Sequence, residues 1–221
     1  MTTARLAGEG AGPAKDRVYR YIRDLILRGT ARGGSFIEEG HISAALGVSR
    51  TPVREALHRL EAERLIDLVP RRGAVVRQVT ARELVDVYEA RKLIESYAVR
   101  RICEEHLSVP AEMARLLERM RSSEAEDEFA LTELDRQFHR AMVRASGNAV
   151  LAEMYDELRS RQQLVAVTTA SLHPERLDAS YEEHRELLEV LQSGDADRAV
   201  HLFVDHLRPM PEVLAGLDER S

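Results

Sequence analysis

The chain is 221 residues long, 44% hydrophobic and 32% charged, which is enough to bury the cores of two modest domains. Its single cysteine, Cys103, excludes an internal disulfide framework, and no apolar run approaches the roughly 18 residues that span a bilayer. The net charge of -6 conceals an asymmetry: residues 1–80 carry 14 Lys or Arg against 9 Asp or Glu, and residues 81–221 carry 18 against 29. A basic module on an acidic body suggests that only the first part meets a polyanion, because phosphate neutralisation needs a local basic surface.

The opening "MTTARLAGEGAGPAK" is small and Gly-rich with no apolar core. It reads as a disordered tail over residues 1–12, neither signal peptide nor anchor, and the protein is expected in the cytoplasm. From Pro13, Val18, Ile22, Leu25 and Ile26 mark one face of a helix that ends near Gly29. A loop is expected over "GTARGGSFIEE". Ile42, Ala45 and Leu46 mark a short second helix closed by Gly47. Ser49 is placed to cap a third, with Pro52 in its first turn and Val53, Leu57 and Leu60 as its buried stripe. The β-branched runs on either side of Pro70-Arg71-Arg72-Gly73 read as a small hairpin.

Two short helices joined by a Gly-Val-Ser turn, with a helix before and a hairpin after, describe a winged helix-turn-helix spanning residues 13–79. Its second helix would enter the major groove of double-stranded operator DNA. Arg50 and Thr51 lie in the leading turn and Arg54 one turn on, so both guanidiniums share a face and can bond guanine edges. Arg71 and Arg72, beside Gly73 at the hairpin tip, would reach a neighbouring groove or backbone, while Arg59 and Arg64 meet phosphate or solvent. Taken singly, each arginine reads better as part of a solvated face paired with Glu55, Glu61 and Glu63. Turn, cap and wing together favour DNA.

Beyond Thr80 the pattern is helical throughout. Thr80 can cap a long helix carrying Leu84, Val87, Leu93, Ile94 and Ala98, and Pro110 opens the next. Further helices are expected from about Glu126 to Ala145, from Val150 to about Thr168, and from Tyr181 to Gln192. A last one runs from the Asp195 cap to about Leu207, giving a six-helix bundle over residues 80–221. The fold class is therefore mainly α, a winged helix-turn-helix followed by an antiparallel helical bundle.

Within the bundle, Asp135 and His139 are spaced i, i+4 on one helix face, and His184 and His206 sit on the last two helices. If they converge, three imidazoles and a carboxylate suit a divalent metal, zinc first, with nickel, manganese or iron as alternatives. Spacing alone leaves convergence open. His41, His58, His106, His173 and His201 read as solvated or satisfied residues.

Ser49 to Leu57 reads Ser-Arg-Thr-Pro-Val-Arg-Glu-Ala-Leu, and residues 15–79 resemble the winged helix-turn-helix of the GntR family of bacterial repressors. The resemblance implies that Arg50, Thr51 and Arg54 contact operator bases and backbone, with Gly73 approaching the minor groove. The sequence departs from the family pattern at three positions. Gly33 stands where a proline usually precedes Gly34, Arg64 where a glycine commonly ends the recognition helix, and Gly40 where some members carry a DNA-contacting arginine. Residues 80–210 resemble the FCD ligand-binding domain of the FadR subfamily. Its Asp-x-x-x-His, Glu-His and final-His pattern is present as Asp135, His139, His184 and His206, and the six-helix count resembles the VanR-like group. That likeness implies a metal anchoring a carboxylate effector and an arginine of the first bundle helix in the cavity, here Arg91. The other reading of Arg91 is a salt bridge to Glu95, and both can hold.

The expected function is a metabolite-responsive transcription regulator, not an enzyme. A small organic or sugar acid grips the metal and Arg91 by charge-assisted contacts and shifts the spacing of two DNA-reading heads in a homodimer. The alternatives are a sensor of the metal itself and, with less support, a metal-dependent enzyme.

Overall fold

The computed structural model describes residues 12–122, 128–173 and 175–218. Two compact units part between Gln78 and Val79. The tail expected over residues 1–12 lies, except for Gly12, outside the described residues, as does the expected start of the Glu126 helix.

In the first unit, α1 (Ala14–Leu27) buries Val18, Ile22, Ile26 and Leu27. It packs on α3 (Arg50–Ala62), whose Val53, Ala56, Leu57 and Leu60 are buried at the spacing the sequence gives. Between them, α2 (Glu39–Leu46) ends at Gly47 in the left-handed conformation, φ 62°. The hairpin expected after α3 is present as β2 (Ile66–Val69) and β3 (Gly73–Val76). The loop expected over "GTARGGSFIEE" needs correction, because Phe36–Glu38 form a strand, β1, antiparallel to β3 with Ile37 opposite Ala74. At three residues, with only Ile37 turned inward, β1 has no alternation long enough to read, and its pairing alone defines it.

Gly73 joins both pairings, opposite Glu38 and Val69, at φ 141°. A Cβ there would lie 2.0 Å from the Ile37 carbonyl oxygen, so only glycine lets the strands close. Arg64 follows the end of α3 at φ 61°. Leu65 N donates to Leu60 O at 3.0 Å and Arg64 N to Glu61 O at 2.9 Å. This is the Schellman closure, with arginine in the position that favours glycine.

The second unit is a bundle around α4 (Ala81–Glu104), capped where Thr80 Oγ1 accepts from Glu83 N at 3.1 Å. Around it lie α5 (Ala111–Arg121), α6 (Glu128–Ala145), α7 (Ala149–Glu157), α8 (Arg159–Leu172), α9 (Arg176–Ser193), α10 (Ala196–His206) and α11 (Pro211–Asp218). Phe138, Met142, Leu187, Leu191 and Phe203 anchor a core shared by α6, α9 and α10. The six-helix expectation is corrected to eight among the described residues, α4 to α11. Leu158 divides the expected Val150–Thr168 helix into α7 and α8, α8 continues to Leu172, and α11 resumes after Pro209. Gly194 closes α9 at φ 77°, and Asp195 Oδ1 caps α10 by accepting from Arg198 N at 3.1 Å.

Candidate functional site

The leading end of α3 carries Arg50, Thr51 and Arg54, all exposed. Ser49 occupies the N-cap position but makes no side-chain capping bond, which leaves the first amides of α3 open. Arg54 Nε is held by both oxygens of Glu39, at 2.9 and 3.1 Å. Arg50 shares a shallow cleft with Arg71 and Arg72 at the hairpin tip, bordered by Phe36, Glu39 and Gly40. The Arg72 guanidinium lies 5.7 Å from the Phe36 ring centre. Gly73 is buried, and the close approach it permits is that of β1.

Arg59, expected to meet phosphate or solvent, keeps a half-exposed side chain. It stacks 3.7 Å over the Tyr19 ring and pairs with Glu63 at 3.3 Å, the solvated-face arrangement with one carboxylate named for it. Tyr19 Oη donates to Glu63 in turn, at 2.7 Å. Burial, with the Glu63 carboxylate, pushes Tyr19 up to about 12.

In the bundle, Asp135 and His139 from α6, His184 from α9 and His206 from the end of α10 present one ligand atom each, all within 4.8 Å of one another. The Nε2 atoms of His139 and His184 are 2.8 Å apart, those of His184 and His206 3.3 Å. Asp135 Oδ1 stands 3.5 Å from His184 Nε2 and 3.9 Å from His139 Nε2. All three rings are buried, and Phe138 packs 4.7 Å from the His184 ring centre. Burial lowers His139 and His184, the latter well below the ordinary histidine value, so the rings favour the neutral form that ligates metals.

Two carboxylates that the sequence reading did not assign to the site face the outer nitrogens. Glu95 Oε2 lies 2.8 Å from His139 Nδ1, and Glu183 Oε2 lies 2.6 Å from His206 Nδ1. Arg91 Nε donates to the other Glu95 oxygen at 2.8 Å, so Arg91 makes the anticipated salt bridge and also borders the cavity beside the cluster. Burial would raise Glu95, but Arg91 and His139 overcome it and hold the carboxyl at about 2. Arg176 ties down the second carboxylate, donating to Glu183 Oε2 at 2.7 Å and to the His206 carbonyl at 2.8 Å. A signal for Glu95 exists in the sequence. Arg91 and Glu95 fall within the buried stripe of α4 formed by Leu84, Val87, Ile94, Ala98 and Ile102, where charge requires a partner.

His41, His58, His106 and His201 are exposed, as expected, and His173 is half-buried. Cys103 is buried and unpaired, and burial raises its thiol.

Two family profiles match the chain: "Bacterial regulatory proteins, gntR family" over residues 14–76 and "FCD domain" over residues 86–209. The chain is 31% identical over 191 residues to a probable D-xylose utilization operon transcriptional repressor of Paenarthrobacter nicotinovorans, covering 84% of each. It is 28% identical over 212 residues to the HTH-type transcriptional repressor GlaR of Escherichia coli K12, covering 90% of this chain and 96% of that one. Among solved structures, a GntR transcriptional regulator from Rhodococcus sp. RHA1 superposes with a TM-score of 0.73 at 25% identity, over 94% of this chain and 98% of the other.

Proposed function

Since the chain belongs to the GntR family of DNA-binding transcription regulators and carries an FCD domain, we propose that its bundle holds a divalent metal which, with Arg91, receives a small carboxylate effector that alters operator affinity. The convergence of three Nε2 atoms and Asp135 Oδ1 carries this reading. Glu95 and Glu183 favour the proton on Nδ1 of His139 and His206, and that tautomer turns both Nε2 lone pairs inward. His184 Nε2 stands 2.8 Å from His139 Nε2 and 3.3 Å from His206 Nε2, and a single proton on it can serve only one of those lone pairs whereas a cation among them serves all three, so the residues present fit a metal. Donor spacings of about 3.3 Å follow from the usual zinc–nitrogen length in a tetrahedron, which places zinc first, with nickel, manganese or iron accepting the same donors. The bound metal would supply positive charge and, because zinc can expand beyond four ligands, a further position for a carboxylate.

Arg91 contributes a fixed cation to the same cavity, because Glu95 locks its Nε and leaves Nη2 without a partner among the described residues. Arg176, held by Glu183 and the His206 carbonyl, fixes the far wall. The DNA-reading roles fall to Arg50, Thr51 and Arg54 at the open end of α3 and to Arg71 and Arg72 at the wing. No helix among the described residues is long and apolar enough to cross a membrane, consistent with action on cytoplasmic DNA. A second copy would cover Leu93 and Tyr97 of α4 with Val150 and Met154 of α7. These exposed apolar side chains flank the seam where Ile94 and Ala98 meet Leu151 and Tyr155.

The test is metal analysis of purified protein beside operator binding with and without zinc and small acids. Stoichiometric metal in the wild type and none in the His139→Ala, His184→Ala double variant supports the site. Full metal in that variant refutes it. Operator affinity that follows metal alone, whatever acid is added, replaces the effector reading with metal sensing.

A further inference from the structure

The cleft between the start of α3 and the hairpin tip has a volume of about 330 Å³ and carries both signs of charge, with Arg50, Arg71 and Arg72 lining it together with Glu38 and Glu39. Opposite charges that share a cleft are expected to pair, and Glu39 does. Its side chain is 15% exposed, and both oxygens accept from Arg54 Nε. Glu38 behaves otherwise. Its carboxylate has no hydrogen-bond or ion-pair partner among the described residues, and neither have the guanidiniums of Arg50 and Arg71.

Local structure keeps Glu38 outward. Phe36 and Glu38 stand on either side of the buried Ile37 in β1, and both are exposed. Glu38 occupies the N-cap position of α2 without making a side-chain capping bond, so its carboxylate is not spent on the α2 amides. Gly40 offers no side chain to cover it, since a Cβ there would lie 3.9 Å from Glu38 Oε1. Phe36, on the same face of the strand, has the Arg72 guanidinium 5.7 Å from its ring centre, so the strip borders the hairpin tip.

A carboxylate facing a duplex repels phosphate, and an unpaired one in this cleft therefore lowers affinity for DNA in general. That cost is offset only where the duplex presents a donor. In the major groove the donors are the amino groups of cytosine and adenine, and a G·C pair sets cytosine N4 beside guanine O6 and N7. A free arginine fork and a free carboxylate in one cleft complement that edge, donors to the guanine and an acceptor to the cytosine. Thymine in the cytosine's place would oppose the carboxylate with O4, a second acceptor.

We propose that Glu38 is a specificity-determining residue that accepts a hydrogen bond from N4 of an operator cytosine. The inference rests on the DNA-reading role given to Arg50 and the hairpin arginines.

The experiment is selection of duplexes from a random-sequence library by the full chain. Fluorescence anisotropy at fixed salt follows, on the selected operator, on that operator with the C·G pair changed to T·A, and on a scrambled duplex. At a position in each half-site the wild type is expected to prefer cytosine over thymine by about tenfold or more. Glu38→Ala should bring that ratio within about threefold, and Glu38→Gln should move the preference toward adenine, whose N6 and N7 match an amide. Glu38→Ala should also tighten binding to the scrambled duplex, with the melting temperature unchanged, because the side chain holds no partner in the fold. Base preferences of Glu38→Ala that agree with the wild type at every position overturn the proposal. Tightening by the same factor on every duplex also overturns it, since Glu38 would then be a non-specific repulsive charge. Arg50→Ala separates the two readings. If it binds the operator as the wild type does, the DNA-reading role of this cleft falls and the inference falls with it. If it loses affinity while the Glu38 variants keep wild-type preferences, the role of Glu38 alone falls.

Discussion

Glu95 Oε2 and His139 Nδ1 face each other at 2.8 Å in the interior of the bundle, both side chains wholly inaccessible to solvent. The same carboxylate accepts from Arg91 Nε, so one buried anion faces a ring proposed to bind metal and neutralises the cavity's guanidinium. Glu95→Gln keeps the shape and removes the charge. Loss of the carboxylate behind a ligating histidine costs about 10–100-fold in metal affinity. Leaving Arg91 buried without its anion costs about 3–5 kcal/mol of stability. Competition with a chromophoric chelator and thermal denaturation measure the two effects separately. A variant with wild-type metal affinity would show that Glu95 serves Arg91 alone.

The recognition helix makes a different demand, for side chains free to leave the protein surface. Arg50 has no ion-pair partner among the described residues, whereas Arg54 is tied to Glu39 by two contacts. Arg50→Ala is therefore expected to weaken operator binding by about 1–3 kcal/mol with the melting temperature unchanged, because an exposed side chain at a helix start adds little to the fold. Fluorescence anisotropy at fixed salt, with a labelled operator and a scrambled duplex, reads this directly. Equal affinity of variant and wild type would remove Arg50 from the base-reading set.

The contrast between these two sites explains what was legible in the sequence. Arg50, Thr51 and Arg54 belong to one helix and one turn, so local spacing places them. Asp135 and His139 also share a helix, but their meeting with His184 and His206 depends on how α6, α9 and α10 pack, and periodicity names the candidates without bringing them together. The stripe of α4 marks Glu95 as a buried charge, but the histidine it serves, like the one Glu183 serves, was out of reach for the same reason. Glu95 on α4 serves a histidine on α6, and Glu183 on α9 serves one on α10, so no spacing along a single helix links them. The break at Leu158 carries neither proline nor glycine, the residues by which helix ends are read. Arg64 was the opposite case. An unusual residue at a position that favours glycine is visible in the sequence, and its backbone cost is visible only in the structure.

At φ 61°, Arg64 adopts a conformation that crowds a Cβ and costs roughly 1–2 kcal/mol. Arg64→Gly relieves the crowding but adds freedom to the unfolded chain, so a net gain of about 1 kcal/mol is expected. His106 closes α4 by the same pair of bonds, with Leu107 N donating to Ile102 O at 2.9 Å and φ 52°, and His106→Gly should act alike. Chemical denaturation followed by circular dichroism gives both values. A loss of stability at both positions would mean that these side chains contribute more than their backbone costs.

Leu93 is 77% exposed and Val150 65%, in a protein whose other large apolar side chains are mostly buried. Tyr97 lies one turn after Leu93 and Met154 one turn after Val150, so the exposed positions form two short strips on adjoining helices rather than scattered points. Burying such a patch against its own copy gives a symmetric pairing in which each strip meets the other subunit's surface. Leu93→Glu places a charge at the most exposed position, where the isolated subunit tolerates it. Light scattering is therefore expected to find the 25.0 kDa monomer where the wild type runs at twice that mass. Affinity for a two-half-site operator should fall far more than affinity for a single half-site, because only the paired form engages both at once. A variant that remains a dimer at the same concentration would move the interface off α4.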